Sequence, residues 1–261
     1  MATMHSAAGV FTALENLPPF PPVACKALTL LRRENVPFGE VGDVLKTDAA
    51  LSAEVLRLAN SASGGARYRV NSILQALALV GVQRVASLLV TLSLSKMIRR
   101  AGAAKTIRNS WRHSLATALA AKEFASSFGS EPEEAYLAGL FHDLGRLALL
   151  VLEPGLYDQI ISQDGDVREL EWAHFGMDHC EAGAWLIEKW NLPRIFADVA
   201  RYHHDPKLDA NNLTMVVQAS CIFADEIGFS LRPPPAGPDV SEKLGFFIAA
   251  TINSLECEYD I

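Results

Sequence analysis

The sequence predicts an all-α protein. Alanine and leucine are abundant, and apolar residues recur at helical spacing along nearly the whole chain. Few runs alternate between apolar and polar residues, and clusters of valine, isoleucine and threonine, which favour strands, are scarce. The 261 residues suffice for one large domain or two small ones. A hydrophobic fraction of 50% with 20% charged residues is typical of a soluble globular protein.

The first half is predicted to hold five helices after an extended, proline-rich entry at residues 17–22. Asp48 and Ser72 are predicted to cap the third and fourth helices, because their side chains accept hydrogen bonds from free amides at a helix start. Gly81 separates the fourth helix from a strongly apolar fifth, which we expect at the centre of the core. The predicted spans are 23–33, 38–46, 49–61, 73–80 and 82–98.

A polar break at residues 99–105 leads into the second half. Two long antiparallel helices are predicted there, at 105–128 and 133–152. Gly129 is predicted to end the first, with Ser130 as the N-cap of the second and Pro132 in its first turn. Shorter helices are predicted at about 166–175, 178–190, 194–202, 213–228 and 241–257, with a proline-rich loop at 232–238 before the last one.

The predicted organisation is an N-terminal helical half at 14–100, a second half at 105–230, and a closing loop and helix at 231–261. A net charge of −7 argues against a nucleic-acid partner, which would need a basic face. No signal peptide or membrane span is predicted, because the longest apolar stretch, 85–95, is about half the ~20 residues that a span needs. The four scattered cysteines indicate reduced thiols, and we expect a cytoplasmic protein.

The chemistry-bearing residues are histidines and aspartates, and all of them follow residue 110. Five of the seven histidines belong to this set. Imidazole and carboxylate are the usual ligands of iron, manganese or zinc. The sequence therefore predicts a divalent metal site, with one or two ions, in the second half. The candidate ligands are His113, His142, Asp143, His179, His203, His204 and Asp225.

The spacing around the predicted turn at Gly129 supports this site. His113 lies 16 residues before Gly129 and His142 lies 13 residues after it. At about 1.5 Å of rise per residue, the two histidines are nearly level on antiparallel helices. Adjacent helical residues differ by about 100° in direction, so His142 and Asp143 reach one ion only if it lies at the helix edge. Asp225, on a later helix, is the candidate for a further ligand.

Each candidate also has a structural alternative. His142 and Asp143 could form a hydrogen-bonded pair that joins two helices, since an unpaired charge is costly to bury. His113 could lie on a helix surface, and His179 could cap its helix or pair with Glu181. The pair His203-His204 could belong to a wet loop, and Asp225 could pair with another side chain. His174 is interpreted as structural, because five residues separate it from His179 and the two would not share a helix face.

The order His, His-Asp, Asp resembles that of the HD-domain metal-dependent phosphohydrolases. The surrounding sequence more specifically resembles the HDOD family, the HD-related output domains of bacterial signalling proteins. The resemblance covers roughly residues 14–206 and extends to Asp225. Its motifs are Leu17-Pro18, Leu56-Arg57-Leu58-Ala59-Asn60-Ser61, residues 73–81, Trp111-Arg112-His113-Ser114, Ala138-Gly139-Leu140-Phe141-His142-Asp143-Leu144-Gly145-Arg146 and Trp190-Asn191-Leu192-Pro193. Asp48 is followed by alanine, where the family usually has proline.

The resemblance implies a multi-helix bundle of the HD type with an N-terminal helical subdomain, and a role in signal transduction. The seven candidate ligands also match the ligand order of the HD-GYP cyclic-dinucleotide phosphodiesterases. Arg146 stands where those enzymes have lysine, and Asp205-Pro206-Lys207-Leu208 replaces their Gly-Tyr-Pro loop. Hydrolysis of cyclic di-GMP is therefore not expected.

The sequence favours the first of two functions, in which a metal site could be retained, and leaves direct nucleotide sensing without turnover as a third. The first is a bacterial signalling domain that acts through protein contacts, with a signalling protein or a small phosphorylated or nucleotide ligand as its partner. The second is a metal-dependent phosphohydrolase, in which metal ions generate a nucleophile from water. Asp143 and Arg146 would then be the catalytic residues, with Arg146 clamping a phosphate oxygen or, alternatively, forming a salt bridge. Apolar surface on 82–98 would allow a homodimer, although burial in the core explains it equally well.

Overall fold

A computed structural model describes residues 7–31, 33, 36–62, 69–102, 104–205, 211–232, 245 and 247–253. The regular structure in these ranges consists of α-helices, a 3-10 turn and a π turn. The ranges contain no strand, so the predicted all-α class is confirmed. The α-helices in chain order are α1 Ala7–Glu15, α2 Pro22–Leu31, α3 Phe38–Leu45, α4 Ala49–Ala62, α5 Ile73–Val80, α6 Val82–Ala101, α7 Lys105–Phe124, α8 Pro132–Phe141, α9 Leu144–Leu152, α10 Pro154–Ser162, α11 Val167–Phe175, α12 His179–Lys189, α13 Arg194–Tyr202 and α14 Asn212–Ala224.

The chain divides into two compact units. One unit comprises Phe20–Met97, and the other joins Met1–Pro19 to Ile98–Ile261. The division after Met97 lies close to the polar break that the sequence indicates. Residues 14–19, which the sequence analysis assigns to the N-terminal half, fall in the second of these units. All candidate site residues lie in that unit, which we call the histidine unit.

The unit Phe20–Met97 shows the predicted caps. The carboxylate of Asp48 accepts hydrogen bonds from the amides of Ala50 at 2.9 Å and Leu51 at 3.2 Å, and the Ser72 hydroxyl accepts one from Gln75 at 3.2 Å. Gly81 has a φ of 90°, which a residue with a side chain rarely adopts, so α5 ends there. Most apolar residues of α6 between Val85 and Leu94 are buried, as predicted.

In the histidine unit, α7 packs against α8 and α14, and α12 packs against α9 and α13. Two of these contacts are close because a glycine lies between the helices. A Cβ on Gly139 of α8 would stand 2.7 Å from Cα of Ala118 on α7. A Cβ on Gly145 of α9 would stand 1.9 Å from the carbonyl oxygen of His179 at the start of α12. Backbone therefore meets backbone where these helices cross, close to the histidines.

The turn between the two long helices differs from its prediction in detail. The α-helix ends at Phe124 rather than at residue 128, and a 3-10 turn, Ala125–Phe128, leads to Gly129. Gly129 adopts the predicted left-handed conformation with a φ of 66°. The prediction of Ser130 as N-cap was wrong: Glu131 occupies that position, and Pro132 is the first helical residue. Proline at the first position needs no amide hydrogen, so it fixes the helix start there.

Two helices, α1 and α10, were not predicted. The predicted helices leave residues 153–165 without one, yet Pro154 begins α10, since proline favours a first helical turn. The predicted helix 213–228 is an α-helix only to Ala224 and continues as a π turn, Asp225–Phe229. Of the predicted helix 241–257, residues 245 and 247–253 are helical, and the remainder lies outside the described residues.

One stretch within the described ranges, residues 132–152, has the length and hydropathy of a membrane span, and 78% of its apolar window is buried inside the protein. The helices α5 and α6 together also have the length and hydropathy of a span, but they are bent by 108° relative to each other. A core helix passes the same test when it is mostly buried, and α8 and α9 pack inside the histidine unit in that way.

Candidate metal centre

The helical hairpin of α7 and α8 brings His113 and His142 together. Their ring centroids are 5.3 Å apart, as the nearly level spacing around Gly129 predicts. Both side chains are buried, with exposed fractions of 3% and 0%. His113 is therefore not a helix-surface residue.

The predicted continuous helix 133–152 is interrupted at His142 and Asp143. Asp143 has a φ of −105° and a ψ of 19°, outside the helical region, and it separates α8 from α9. The Nδ1 atom of His142 donates a hydrogen bond to the carbonyl oxygen of Gly139 at 2.6 Å. In a continuous helix that carbonyl would accept the amide of residue 143. The imidazole of His142 thus takes the place of the amide donor of residue 143. The break in the helix lets the side chains of His142 and Asp143 face the same space.

Four imidazoles share one arrangement: each has its Nδ1 against an outer hydrogen-bond acceptor and its Nε2 facing Asp143. When Nδ1 carries the proton, Nε2 keeps a free lone pair directed at the carboxylate. The Nδ1 contacts are His113 with the Phe229 carbonyl at 3.2 Å, His142 with the Gly139 carbonyl at 2.6 Å, His179 with the Glu171 carboxylate at 2.6 Å, and His203 with the Ala200 carbonyl at 2.8 Å.

Asp143 lies at the centre of these rings and is fully buried. The distances from its Oδ2 are 3.8 Å to Nε2 of His113 and 3.7 Å to Nε2 of His142. The distances from its Oδ1 are 3.5 Å to Nε2 of His179 and 3.6 Å to Nε2 of His203. These separations are too long for hydrogen bonds. Two ligands bound at about 2.1 Å to one tetrahedral ion stand roughly 3.4 Å apart, so the separations suit a shared metal ion.

Several of the buried atoms that could bind a metal ion make no hydrogen bond in the protein. The Nε2 atoms of His142 and His203 make no hydrogen bond, and neither carboxylate oxygen of Asp143 accepts one. Burial lowers the pKa of both His142 and His203, which favours neutral rings with free lone pairs. Burial by itself raises the pKa of Asp143, but the charge of Arg146 beside it holds that pKa well below its ordinary value. For His142 and His203 the neutral form is the protonation state that a metal ion needs.

Burial by itself also lowers the pKa of His113 and His179, but contacts with Cys221 and Asp225 raise the pKa of His113 to about 10, and the charge of Glu171 raises that of His179 well above its ordinary value. A bound metal ion would have to displace the second proton from these two rings.

Arg146 lies against the carboxylate of Asp143. Its Nε is 2.9 Å from Oδ2 of Asp143, and one terminal nitrogen is 3.2 Å from Nε2 of His179. Its side chain is 12% exposed and also lines the adjoining cavity. The salt-bridge interpretation is therefore realised in this structure, while the guanidinium remains next to the space where a ligand would enter.

Glu171 is a functional residue that sequence reasoning missed. It is fully buried on α11, and one of its oxygens accepts hydrogen bonds from the His179 amide at 2.8 Å and from Nδ1 of His179 at 2.6 Å. The buried hydroxyl of Tyr157 donates to its other oxygen. Burial by itself raises the pKa of Glu171, but the nearby His179 lowers it, so the carboxylate is ionised. Glu171, rather than the predicted Glu181, thus fixes the orientation of the His179 ring.

A buried glutamate eight residues before a histidine carries no sequence signal, because the two lie on different helices. His179 does not cap its helix either. Asp178 does, since its carboxylate accepts the Glu181 amide at 2.9 Å. His174 is half-buried in α11 and belongs to none of the groups that could hold a metal among the described residues, in agreement with its structural interpretation.

His204, Asp225 and Cys221 complete the surroundings. The ring of His204 is 4.1 Å from that of His203 and 5.1 Å from that of His179, and its side chain is exposed. The side chain of Asp225, 44% exposed, has Oδ1 at 3.3 Å from Nδ1 of His113. Cys221, not among the predicted ligands, has its Sγ at 3.5 Å from Nε2 of His113. All three residues line the cavity beside the cluster.

Six of the seven predicted metal ligands belong to groups of converging donor atoms, and Asp225 lies beside them at the outer nitrogen of His113. Three groups have donor atoms within 4.8 Å of one another: His113, His142 and Cys221; His142, Asp143 and His203; and His179, Cys180, His203 and His204. Nε2 of His142 and Nε2 of His203 are buried and make no hydrogen bond, so these residues fit a divalent ion. The assignment of each residue as a ligand stays a prediction.

A cavity of about 330 Å³ adjoins the cluster. Small-molecule sites commonly begin at this size. Arg146, Arg168 and Arg232 line it, together with Asp166 and Asp225. Arg232 is committed to structure, because it donates to four backbone carbonyls, of Ile160, Ile161, Gln163 and Gly165. The cavity therefore combines converging metal donors with positive charge.

Comparison with known proteins identifies the family. The HDOD domain profile matches residues 17–206. A crystal structure of an HDOD domain protein of unknown function from Geobacter sulfurreducens is 23% identical, covers 97% of this chain and 94% of its own, and superposes with a TM-score of 0.74. A second structure, named "Putative phosphohydrolase", from Shewanella amazonensis, is 23% identical, covers 99% and 90% of the two chains, and has a TM-score of 0.71. At these identities the structural similarity establishes the fold.

A curated relative, an uncharacterized protein of Treponema pallidum, is 23% identical over 209 residues. The match covers 78% of this chain, and the chain spans 40% of the length of that relative. The family profile covers most of the chain, and the fold agrees with that of an HDOD domain protein over almost its whole length. The chain therefore belongs to the HDOD domain family.

Proposed function

We propose that this HDOD domain binds one or two divalent metal ions and hydrolyses a small phosphoester. One observation carries the proposal. Four buried imidazoles, each held at Nδ1 by an outer acceptor, direct Nε2 toward the two oxygens of Asp143 at separations of 3.5–3.8 Å. A domain that used these residues only as internal braces would satisfy every buried polar atom, because an unpaired buried polar group is costly. Nε2 of His142 and Nε2 of His203 make no hydrogen bond.

The two oxygens of Asp143 face different histidines, so this carboxylate could bind two metal ions, one at each oxygen. His113 and His142 would hold an ion at Oδ2, and His179 and His203 would hold one at Oδ1. When bound, such an ion supplies Lewis acidity, which polarises a phosphoryl oxygen and acidifies water. The buried donors are already oriented by their outer hydrogen bonds, so little reorganisation is needed on binding.

The substrate would enter through the cavity. Arg146 can turn one terminal nitrogen toward a phosphate oxygen while its Nε stays on Asp143, and an arginine binds phosphate well through its planar donors. His204 and Asp225 line the same cavity and would contact the bound substrate. A volume of about 330 Å³ favours a small phosphorylated or nucleotide ligand over a large one.

The proposal is tested by elemental analysis of protein purified without chelators or a histidine tag. We expect near-stoichiometric iron, manganese or zinc, and metal-dependent turnover in a screen of phosphomonoesters and phosphodiesters. The double variant His142→Ala, Asp143→Ala should lose both metal and turnover, and His174→Ala should keep both. Absence of metal after anaerobic supplementation with each ion would overturn the proposal.

A signalling domain that acts through protein contacts is the second candidate. The contact between Arg146 and Asp143 favours it, because the guanidinium neutralises the buried carboxylate without a metal ion. In that case the His-Asp cluster braces the fold, and the partner is a signalling protein. Turnover separates the two candidates, because a signalling domain can retain the metal site without hydrolysing a phosphoester.

The variant Glu171→Gln is expected to weaken metal binding by about 10- to 100-fold, because the ring of His179 loses the carboxylate that orients it. Competition with a fluorescent chelator measures the affinity. The matched control is Glu169→Gln in the first turn of the same helix, where the side chain is exposed and the affinity should not change. Equal affinities of Glu171→Gln and the unmodified chain would show that His179 is not a ligand.

A further inference from the structure

We infer that Cys221 supplies a thiolate ligand to an ion shared with His113 and His142, while Asp225 contacts the outer nitrogen of His113 and is not a ligand. The inference rests on the proposed metal site and assigns a donor that the sequence pattern does not indicate. It also changes the role of Asp225, the residue that the ligand order of the superfamily singles out.

The two residues lie one helical turn apart but contact different nitrogens of His113. Cys221 lies in α14, and its Sγ is 3.5 Å from Nε2. Asp225 follows the end of that helix, and its Oδ1 is 3.3 Å from Nδ1. The two ring nitrogens point in diverging directions, so they cannot bind the same ion. An ion at Nε2, the nitrogen that faces Asp143, is therefore near Cys221 and on the opposite side of the ring from Asp225.

The separation between sulfur and nitrogen agrees with shared coordination. Ligands at about 2.3 Å for sulfur and 2.05 Å for nitrogen stand roughly 3.6 Å apart around a tetrahedral zinc ion. The observed value is 3.5 Å. The donor atoms of His113, His142 and Cys221 all lie within 4.8 Å of one another. A second observation points to the same space, since Nε2 of His142 is fully buried and makes no hydrogen bond.

Cys221 in α14 and Asp225 just after it also differ in burial. Cys221 is 6% exposed, whereas the Asp225 side chain is 44% exposed and reaches solvent. Coordination would break the S–H bond of Cys221, release the proton to solvent and give a sulfur electron pair to the ion, without oxidation or reduction. A thiolate is a soft ligand and favours zinc or iron over manganese or magnesium. The inference thus narrows the choice among the predicted metals.

Cobalt(II) substitution tests this inference in the full chain. A cobalt–thiolate bond gives an intense near-ultraviolet charge-transfer band, which nitrogen and oxygen ligands do not produce. We expect this band at a stoichiometry of one thiolate per cobalt in the unmodified chain and its loss in Cys221→Ser. It should persist in Asp225→Asn and in the matched control Cys25→Ser, whose thiol lies in the other unit. Cys180→Ser should also keep the band.

Each alternative outcome has a defined meaning. Bound cobalt without the band, or a band that disappears in Cys180→Ser and not in Cys221→Ser, overturns the inference but leaves the proposed metal site intact. No cobalt binding at all overturns both. Should Cys221→Ser fail to fold, zinc X-ray absorption of the unmodified chain decides the question, because a sulfur ligand at about 2.3 Å is resolved from nitrogen and oxygen ligands at about 2.0–2.2 Å.

Discussion

Replacing Asp143 by asparagine is expected to lower the free energy of unfolding of the metal-free protein by about 3 kcal/mol, because Arg146 then keeps a buried charge without its partner. The guanidinium is only 12% exposed, and its Nε lies 2.9 Å from the carboxylate. Urea unfolding of chelator-treated protein measures the change. The same variant should also bind no metal, since asparagine removes the central carboxylate.

A double-mutant cycle separates this charge effect from a general loss of packing. Arg146→Met removes the cation and keeps much of its volume. In the Asp143→Asn background it should restore a large part of the lost stability, giving a coupling energy of roughly 2 kcal/mol. Additive losses in the double variant would mean that the ion pair contributes little, and that Arg146 is held mainly by its other contacts.

Gly145→Ala is expected to lower the free energy of unfolding by about 3 kcal/mol or more, at the upper end of overpacking effects. The added Cβ would lie 1.9 Å from the carbonyl oxygen of His179 and 2.4 Å from the amide nitrogen of Gly183. Both contacts are backbone atoms, so α9 and α12 must separate to admit the methyl group. His179 would then move away from Asp143, and metal affinity should fall together with stability.

Gly155→Ala is the matched control. Gly155 lies in the first turn of α10, and nothing stands within 4 Å of an added Cβ. Alanine favours a helix over glycine, so this variant should be unchanged or more stable by up to about 1 kcal/mol. Denaturant unfolding of both variants gives the comparison. A Gly145→Ala protein as stable as the Gly155→Ala protein would contradict the close approach of α9 and α12.

The sequence predicted the helical class, most helix positions and the level pairing of His113 with His142. Those features depend on local patterns: apolar spacing, capping side chains such as Asp48 and Ser72, and the left-handed turn at Gly129. The missed helix α10 had a local signal as well, because Pro154 both ends one helix and begins the next. The break at residue 143 had no such signal, since its cause is an imidazole that competes for the carbonyl of Gly139.

The sequence by itself identified seven candidate metal ligands and placed them in one helical half of the chain. Only the tertiary structure decided which contact each of these residues makes. Glu171 orients His179, Arg146 neutralises Asp143, and Asp225 contacts the outer nitrogen of His113 while Cys221 contacts the inner one. The physical reason is that periodicity specifies which face of a helix is buried. The contact that a buried polar side chain makes depends on helices that pack from elsewhere in the chain.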